Sequence, residues 1–195
     1  MPITDASAYF EQVVQVIANM PFAAVDRIVN ALTHAYDSGL RVFLFGNGGS
    51  AALASHFACD LGKGTANGSG KRFQALALTD NVPLMTAWAN DAQYEDIFAE
   101  QLANFVRPND IAFAISGSGK SPNVLKALKV ARKYNAFTIG LTGFAGGDMK
   151  DLCDLCLIVP SDNMQIIEDL HVTVTHAVFT ALRARICLDN RRAVA

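Results

Sequence analysis

The sequence has little charge, and neither sign is in excess. Charged residues make up 17% of the chain, with 16 Lys and Arg against 18 Asp and Glu, whereas about a quarter is usual. The chain therefore lacks a basic field that would recruit nucleic acid or an anionic membrane. An apolar fraction of 51% excludes an intrinsically disordered chain. So little charge predicts that part of the surface is buried against another subunit.

Long apolar runs and a cysteine framework are also missing. No run approaches the roughly 18 residues of a membrane-spanning helix, and the first residues carry neither a basic start nor an apolar signal core. Four cysteines at this length do not form a disulfide scaffold. Cys153 and Cys156 form a lone CxxC motif without a second pair of metal ligands. We therefore expect reduced, packed thiols, no membrane partner and a cytoplasmic location.

Hydrophobic periodicity divides the chain into two leading helices and an alternating region. The leading helices are predicted over residues 5–20 and 22–38, with breaks at Pro21 and Gly39. Strands are predicted over residues 41–45, 73–78, 110–115, 136–142 and 154–160. Helices are predicted between them over residues 50–62, 82–89, 94–106 and 122–134, with a last helix over 164–188. Strands that are apolar throughout indicate a parallel sheet covered on both faces. We expect one α/β domain over residues 1–195, with ligands bound at the carboxyl ends of its strands.

The first glycine turn, GNGGS at residues 46–50, allows three interpretations. Gly46, Gly48 and Ala51 fit a loose dinucleotide-binding fingerprint. That fingerprint needs an acid about 20 residues further on, and Asp80 lies 34 residues after Gly46. Dinucleotide binding therefore rests on a weak match. The other two interpretations are a tight strand-to-helix turn without a ligand and a turn that presents Asn47 and backbone N–H groups to a small, oxygen-rich ligand.

The second turn, SGSGKS at residues 116–121, points more clearly to an anion. It offers three serine hydroxyls, and two glycines let the backbone approach a ligand closely. Pro122 suits the first turn of a following helix, whose N-terminus attracts negative charge. We predict a phosphate or phosphomonoester site. The alternatives are a solvent loop with a serine N-cap and a nucleotide P-loop, which lacks its first glycine and a later magnesium-binding acid.

Five segments in order resemble the sugar-isomerase (SIS) domain family, and within it the phosphoheptose isomerase type. They are GNGGSAALASHFACDL, LTDNVPLMTAWANDAQYEDIF, ISGSGKSPNVLKAL, LTGFAGGDMKDLCDLCLIVPS and DLHVTVTH. The resemblance covers nearly the whole chain. It implies a three-layer α/β/α sandwich and a homotetramer with shared active sites, to which residues 1–38 would contribute. It also implies conversion of sedoheptulose 7-phosphate to D-glycero-D-manno-heptose 7-phosphate, which supplies bacterial heptose for lipopolysaccharide.

The resemblance also implies the site residues. Substrate contacts would be Asn47, Gly48, Gly49, Asn90, Asp91, Ser116, Gly117, Ser118, Ser121 and Glu168. A zinc ion, one per subunit, would be held by His56, Asp60, Glu168 and His176, with Asp60 as the catalytic base and His176 as the acid. Three positions depart from the family pattern. Asp60 replaces the family's Glu, and Glu168 replaces its Gln. Gly117 replaces the Thr in the middle of the family's Ser-Thr-Ser turn.

The spacing of these residues constrains the metal site. His56 and Asp60 are four apart, so a helix places both on one face, where they could share a metal, share a substrate proton or form a surface pair. Glu168 and His176 are eight apart, which is about 12 Å along a helix. One metal could bind both only if the helix began late or if chains interleaved. His171 lies between them and is interpreted as a packed or supporting histidine.

Two other classes of function stay open at this point. SIS domains also occur in regulators that sense sugar phosphates or bind a protein partner, and in isomerases of other sugar phosphates. The presence of His56, Asp60, Glu168 and His176 favours an enzyme, because a scaffold needs no such polar set. NAD or nucleotide binding rests on the two loose turn matches alone.

Overall fold

The structure is a computed structural model that describes residues 5–66 and 71–193. Its helices are α1 (Ala6–Ala18), α2 (Phe22–Ser38), α3 (Gly49–Cys59), α4 (Val82–Asp91), α5 (Ala99–Phe105), α6 (Pro122–Lys133), α7 (Met149–Leu152) and α8 (Met164–Ala193). Its strands are β1 (Arg41–Gly46), β2 (Gln74–Ala77), β3 (Ile111–Ile115), β4 (Phe137–Thr142) and β5 (Leu155–Ile158). None of these described helices is both long enough and apolar enough to cross a membrane.

The five strands form one parallel sheet in the order β2-β1-β3-β4-β5. Apolar side chains cover it on both faces: one core cluster lies between the sheet and α2, α3 and α8, and a second lies on the side of α5 and α6. The predicted α/β/α architecture is therefore confirmed. The two edge strands are less completely buried: Leu76 on β2 is 45% exposed, and β5 alternates buried and half-buried residues.

The two leading helices form at the predicted positions. The Asp5 side chain accepts a hydrogen bond from the backbone N–H of Ala8 and caps α1. Helix α2 ends at Gly39, whose φ of 66° is the left-handed conformation that favours glycine at a helix end. Helix α1 buries none of its residues completely, and the side chains of Phe10 and Val14 are 67% and 66% exposed.

Three elements differ from the sequence prediction. Helix α3 ends at Cys59, and a π-helical turn over Asp60–Gly64 follows it in place of further α-helix. A side chain at Gly64 would overlap the ring of Phe179, so this turn packs closely against α8. The helix predicted over 94–106 divides into a 3₁₀ turn at Tyr94–Asp96 and α5. Helix α8 runs five residues beyond the predicted end at 188.

Candidate active site at the switch in strand order

Both glycine turns lie where the strand order reverses. Strand β1 pairs with β2 on one side and β3 on the other, and the turns follow β1 and β3 directly. Such a switch point opens a crevice at the carboxyl ends of the strands. At Gly46, a Cβ would lie 2.6 Å from the Ile115 carbonyl oxygen, so the end of β1 can approach β3 this closely only with glycine there.

Two asparagine side chains join these neighbouring turns. The Asn47 amide donates to Asn123 Oδ1 at 2.9 Å, and the Asn123 amide donates to Asn47 Oδ1 at 2.8 Å. The Tyr94 hydroxyl also donates to Asn47 Oδ1, at 3.2 Å. Asn123 is 1% exposed, and our sequence analysis did not single it out. The only feature of the sequence that could have indicated Asn123 is the presence of an amide side chain in the first turn of α6.

The second turn brings two serine hydroxyls together. Ser116 is buried, and its Oγ lies 3.3 Å from Ser121 Oγ and accepts from the Gly119 N–H at 3.2 Å. Ser121 precedes α6 without a side-chain capping bond, so the alternative of a plain serine N-cap is wrong for this residue. Gly119 has a φ of 64°, and a side chain there would overlap the Gly146 carbonyl. The Ser118 Oγ accepts from the Lys120 N–H at 3.3 Å.

Gly117, in the middle of this turn, is packed against the start of α8. A Cβ at Gly117 would lie 2.5 Å from Met164 Sδ. The Gly117 carbonyl accepts hydrogen bonds from the Gly143 N–H at 2.9 Å and from the Thr142 hydroxyl at 3.3 Å. The methionine side chain therefore occupies the space that a threonine at position 117 would need.

Two histidines and an aspartate converge between α3 and α8. His176 Nε2 lies 3.4 Å from His56 Nε2, which lies 3.6 Å from Asp60 Oδ2. One ligand atom from each of the three residues falls within 4.8 Å of the others. Ligands bound tetrahedrally to zinc at about 2.0–2.2 Å are about 3.3–3.6 Å apart. The two measured separations match that spacing, so the side chains present fit a zinc ion.

Glu168 lies apart from this group, contrary to the four-ligand set that we expected. Helix α8 is continuous from Met164, so Glu168 and His176 are separated by about 12 Å of helical rise. Glu168 instead faces the first glycine turn, where a Cβ at Gly49 would lie 3.5 Å from Glu168 Oε1. Within one chain, the described residues thus supply three of the four expected metal ligands, and Glu168 borders the proposed substrate crevice.

The predicted substrate residues Asn90 and Asp91 lie at the end of α4. Both are exposed, and Asn90 Nδ2 donates to Asp91 Oδ1 at 2.7 Å. The link from this segment to the first turn comes from Tyr94, whose hydroxyl contacts Asn47. The role of Asn90 and Asp91 in binding stays a prediction.

His171 is the most deeply buried histidine near the site. It is 1% exposed, and burial lowers its pKa to about 4, so its imidazole is neutral at pH 7. It shares a cavity of about 220 Å³ with Gly49, Ser50 and Glu168. The packed position agrees with the interpretation from the sequence.

The sequence and the fold are both similar to those of one known protein family. The model of the SIS domain matches residues 8–143. A probable phosphoheptose isomerase of Thermoplasma acidophilum is 37% identical over 174 residues, which are 89% of this chain and 95% of that protein. A phosphoheptose isomerase of Paramagnetospirillum magneticum is 42% identical over 81% of this chain and 82% of its own length. The structure of a phosphoheptose isomerase from Francisella tularensis superposes with a TM-score of 0.82 at 31% identity, covering 90% of this chain and 95% of that one.

Proposed function

Because the chain belongs to the SIS-domain family, we propose that it is a phosphosugar isomerase that converts sedoheptulose 7-phosphate to D-glycero-D-manno-heptose 7-phosphate. The observation that carries the proposal is the convergence of His56, Asp60 and His176 on helices that border the glycine turns. A regulator that only holds a sugar phosphate would need the turns but not this group of proton-transfer and ligand atoms.

The second turn is proposed to bind the phosphate. The hydroxyls of Ser116 and Ser121 lie side by side and directly precede the N-terminus of α6. Together with the helix dipole, these donors stabilise a phosphate dianion without a large positive charge. This arrangement fixes one end of the sugar and leaves its carbonyl end free to reach other residues of the crevice.

The reaction requires two coupled proton transfers. A proton leaves C1 of the ketose and a proton arrives at C2, while the C1 hydroxyl loses its proton and the C2 carbonyl oxygen gains one. Asp60, half-buried beside His56, is suited to move the carbon proton, because a carboxylate in such a site acts as a general base. His176 is suited to exchange the oxygen proton, since an imidazole both donates and accepts.

Zinc is the proposed cofactor, held by His56, Asp60 and His176. When bound, zinc stabilises negative charge on adjacent sugar oxygens by Lewis-acid catalysis. Asp60 would then have to share its two carboxylate oxygens between the metal and the substrate proton. Glu168, at the Gly49 turn, is proposed to contact the substrate from the opposite wall of the crevice.

We also propose a homotetramer of about 84 kDa, four times 20.9 kDa, in which neighbouring chains share active sites. The exposed apolar side chains of Phe10, Val14 and Phe22 support burial of the leading helices against another copy. Light scattering that shows a stable monomer at micromolar concentration would contradict this assembly. A cytoplasmic location and a role in bacterial heptose supply stay predictions.

Turnover of sedoheptulose 7-phosphate by designed variants tests the assignment of roles. Asp60→Asn and His176→Gln should each lower kcat by about 100-fold or more, with the oligomer intact. His34→Gln is the matched control, because His34 is also an exposed helical histidine but lies in α2. Wild-type kcat in both site variants would remove Asp60 and His176 from the mechanism.

A further inference from the structure

His171 is buried without any partner for its polar atoms. Among the described residues, three buried side-chain atoms lack a hydrogen bond: Asp96 Oδ1 and both ring nitrogens of His171. The aspartate oxygen is neutralised by the Lys126 ammonium group, which leaves the histidine as the unexplained case. The backbone of Thr142 lies near enough to the ring to raise the pKa of His171 against the larger effect of burial, but neither ring nitrogen reaches hydrogen-bond geometry with it. Such groups are rare in native proteins, and a bound ligand or water usually explains them.

The cavity beside His171 has a polar wall on each side. Gly49 and Ser50, in the first turn of α3, form one side, and Glu168 and His171, one turn apart on α8, form the other. At about 220 Å³, the cavity has room for a small polar fragment rather than for a whole sugar phosphate. Its lining also includes the apolar side chains of Leu53 and Val172 and the exposed side chain of Asp169, so the cavity is partly open to solvent.

The position of His171 along α8 indicates which part of a ligand it could meet. Met164, at the start of α8, touches the middle of the phosphate turn at Gly117, and His176, further along, meets His56. His171 lies between these two contacts on the same continuous helix. A ligand bound between the phosphate turn and His176 would lie beside the part of α8 that carries His171.

We propose that this cavity is a subsite for a hydroxyl group on the middle carbons of the sugar phosphate, and that His171 recognises that hydroxyl. The inference rests on the proposed function. A neutral imidazole has one donor and one acceptor nitrogen, and a hydroxyl can satisfy either of them while donating to or accepting from a neighbour. Glu168 supplies a second acceptor one helical turn away. The pair would thus determine which sugar chain fits, without taking part in proton transfer at the reacting carbons.

The first test uses wild-type protein and three analogues of sedoheptulose 7-phosphate that lack the hydroxyl at C3, C4 or C5. Affinities are measured by titration calorimetry, so the result does not depend on turnover. One analogue should bind about tenfold more weakly than the parent compound, because a site built for a hydroxyl loses its hydrogen bonds to that analogue. Equal affinity for all three would overturn the proposal even if the protein is an active isomerase.

The second test uses His171→Phe, which keeps the ring volume and removes both nitrogens. Since neither nitrogen has a partner in the free chain, the melting temperature should stay unchanged or rise. The KM for sedoheptulose 7-phosphate should rise about tenfold, and the discrimination against the weak analogue should disappear, while inhibition by inorganic phosphate stays unchanged. His171→Gln, which retains a donor and an acceptor, should recover part of the affinity.

Thr175→Val is the matched control for this variant. Thr175 is also 1% exposed on α8, but its hydroxyl donates to the Val172 carbonyl at 2.9 Å within the helix. Its KM and analogue discrimination should equal those of the wild type. A His171→Phe protein that retains wild-type KM and discrimination, or that loses inorganic phosphate and sugar phosphate equally, would contradict the proposal. If the wild type binds the sugar phosphates with the predicted discrimination but does not isomerise them, the proposed function fails and the subsite stands.

Discussion

The side-chain amides of Asn47 and Asn123 form two reciprocal hydrogen bonds of 2.9 and 2.8 Å between the two glycine turns. Asn47 follows β1, and Asn123 lies in the first turn of α6, after β3. The Asn123 Oδ1 also accepts from the Val124 N–H at 2.9 Å. One amide pair therefore fixes the distance between the turn that presents Asn47 and the turn proposed to hold the phosphate.

Graded substitution of Asn123 should loosen this connection stepwise. Asn123→Asp can still accept from Asn47 but cannot donate to it, so it keeps one of the two bonds. Asn123→Ala loses both and leaves a partly buried Asn47 amide unpaired, at a cost of about 1–3 kcal/mol in the free energy of unfolding. The free energy of unfolding, measured by urea titration, should fall in the order wild type, Asp, Ala. Equal values would show that the pair does not hold the two turns together.

Gly117 and Met164 should behave as a coupled pair. Gly117→Thr restores the family residue but places a Cβ where Met164 Sδ lies, so it should lower the free energy of unfolding by about 1–3 kcal/mol through overpacking. Adding Met164→Ala makes room for the threonine. A double-mutant cycle from urea unfolding should give a favourable coupling of about 0.5–3 kcal/mol. Additive effects would mean that the methionine simply moves aside.

His56→Ala should abolish metal binding and isomerisation together. It removes the ligand atom that lies between His176 Nε2 and Asp60 Oδ2, and two remaining ligands hold zinc poorly. Bound zinc, measured by elemental analysis after dialysis, should fall from about one per chain to near zero, with the oligomer unchanged by light scattering. His34→Ala should retain both zinc and activity. Full zinc content in His56→Ala would exclude this metal site.

Asp60→Glu should lower activity even though it restores the family residue. The Asp60 carboxylate already lies 3.6 Å from His56 Nε2, a spacing suited to a shared metal. An additional methylene moves the oxygens by about 1 Å, a displacement that can reduce kcat by about 100-fold. Higher kcat on sedoheptulose 7-phosphate would instead mean that the short carboxylate is a handicap on that substrate.

The buried His171 should make the fold acid-sensitive. Burial lowers its pKa to about 4 from the ordinary 6.5, so the unfolded chain binds more protons than the folded chain between these values. The resulting stability is complete above about pH 6.5 and is lost as the pH falls towards 4, by up to about 3 kcal/mol. His171→Phe should remove this part of the dependence in urea unfolding at a series of pH values. Parallel curves for wild type and variant would contradict the assignment.

Local patterns predicted the elements of the fold because their causes are local. Alternating apolar segments, Pro21, Gly39 and Pro122 mark strands, breaks and helix starts that the structure confirms. No local sequence pattern predicted the π-helical turn after Cys59, because this turn depends on the close packing of Gly64 against Phe179. The sequence alone also left the strand order open, since that order depends on how separate segments pack.

In the candidate site, too, only the features that are local in sequence could be predicted. The two glycine turns could be recognised because each is continuous in sequence. The hydrogen-bonded pair of Asn123 and Asn47 could not be predicted, because the two residues are 76 positions apart and the sequence around either one gives no sign of the other. The separation of Glu168 from the metal group followed from helical geometry once α8 was seen to be continuous from Met164, whereas the resemblance had placed all four ligands together.

The most direct measurement is isomerisation of sedoheptulose 7-phosphate by the purified, zinc-loaded protein in D₂O, followed by NMR spectroscopy. Isomerisation by proton transfer predicts that D-glycero-D-manno-heptose 7-phosphate accumulates with solvent deuterium at C2, and that Asp60→Asn suppresses both accumulation and exchange. A ketose that binds saturably but gains neither deuterium nor an aldose product would contradict the isomerase account.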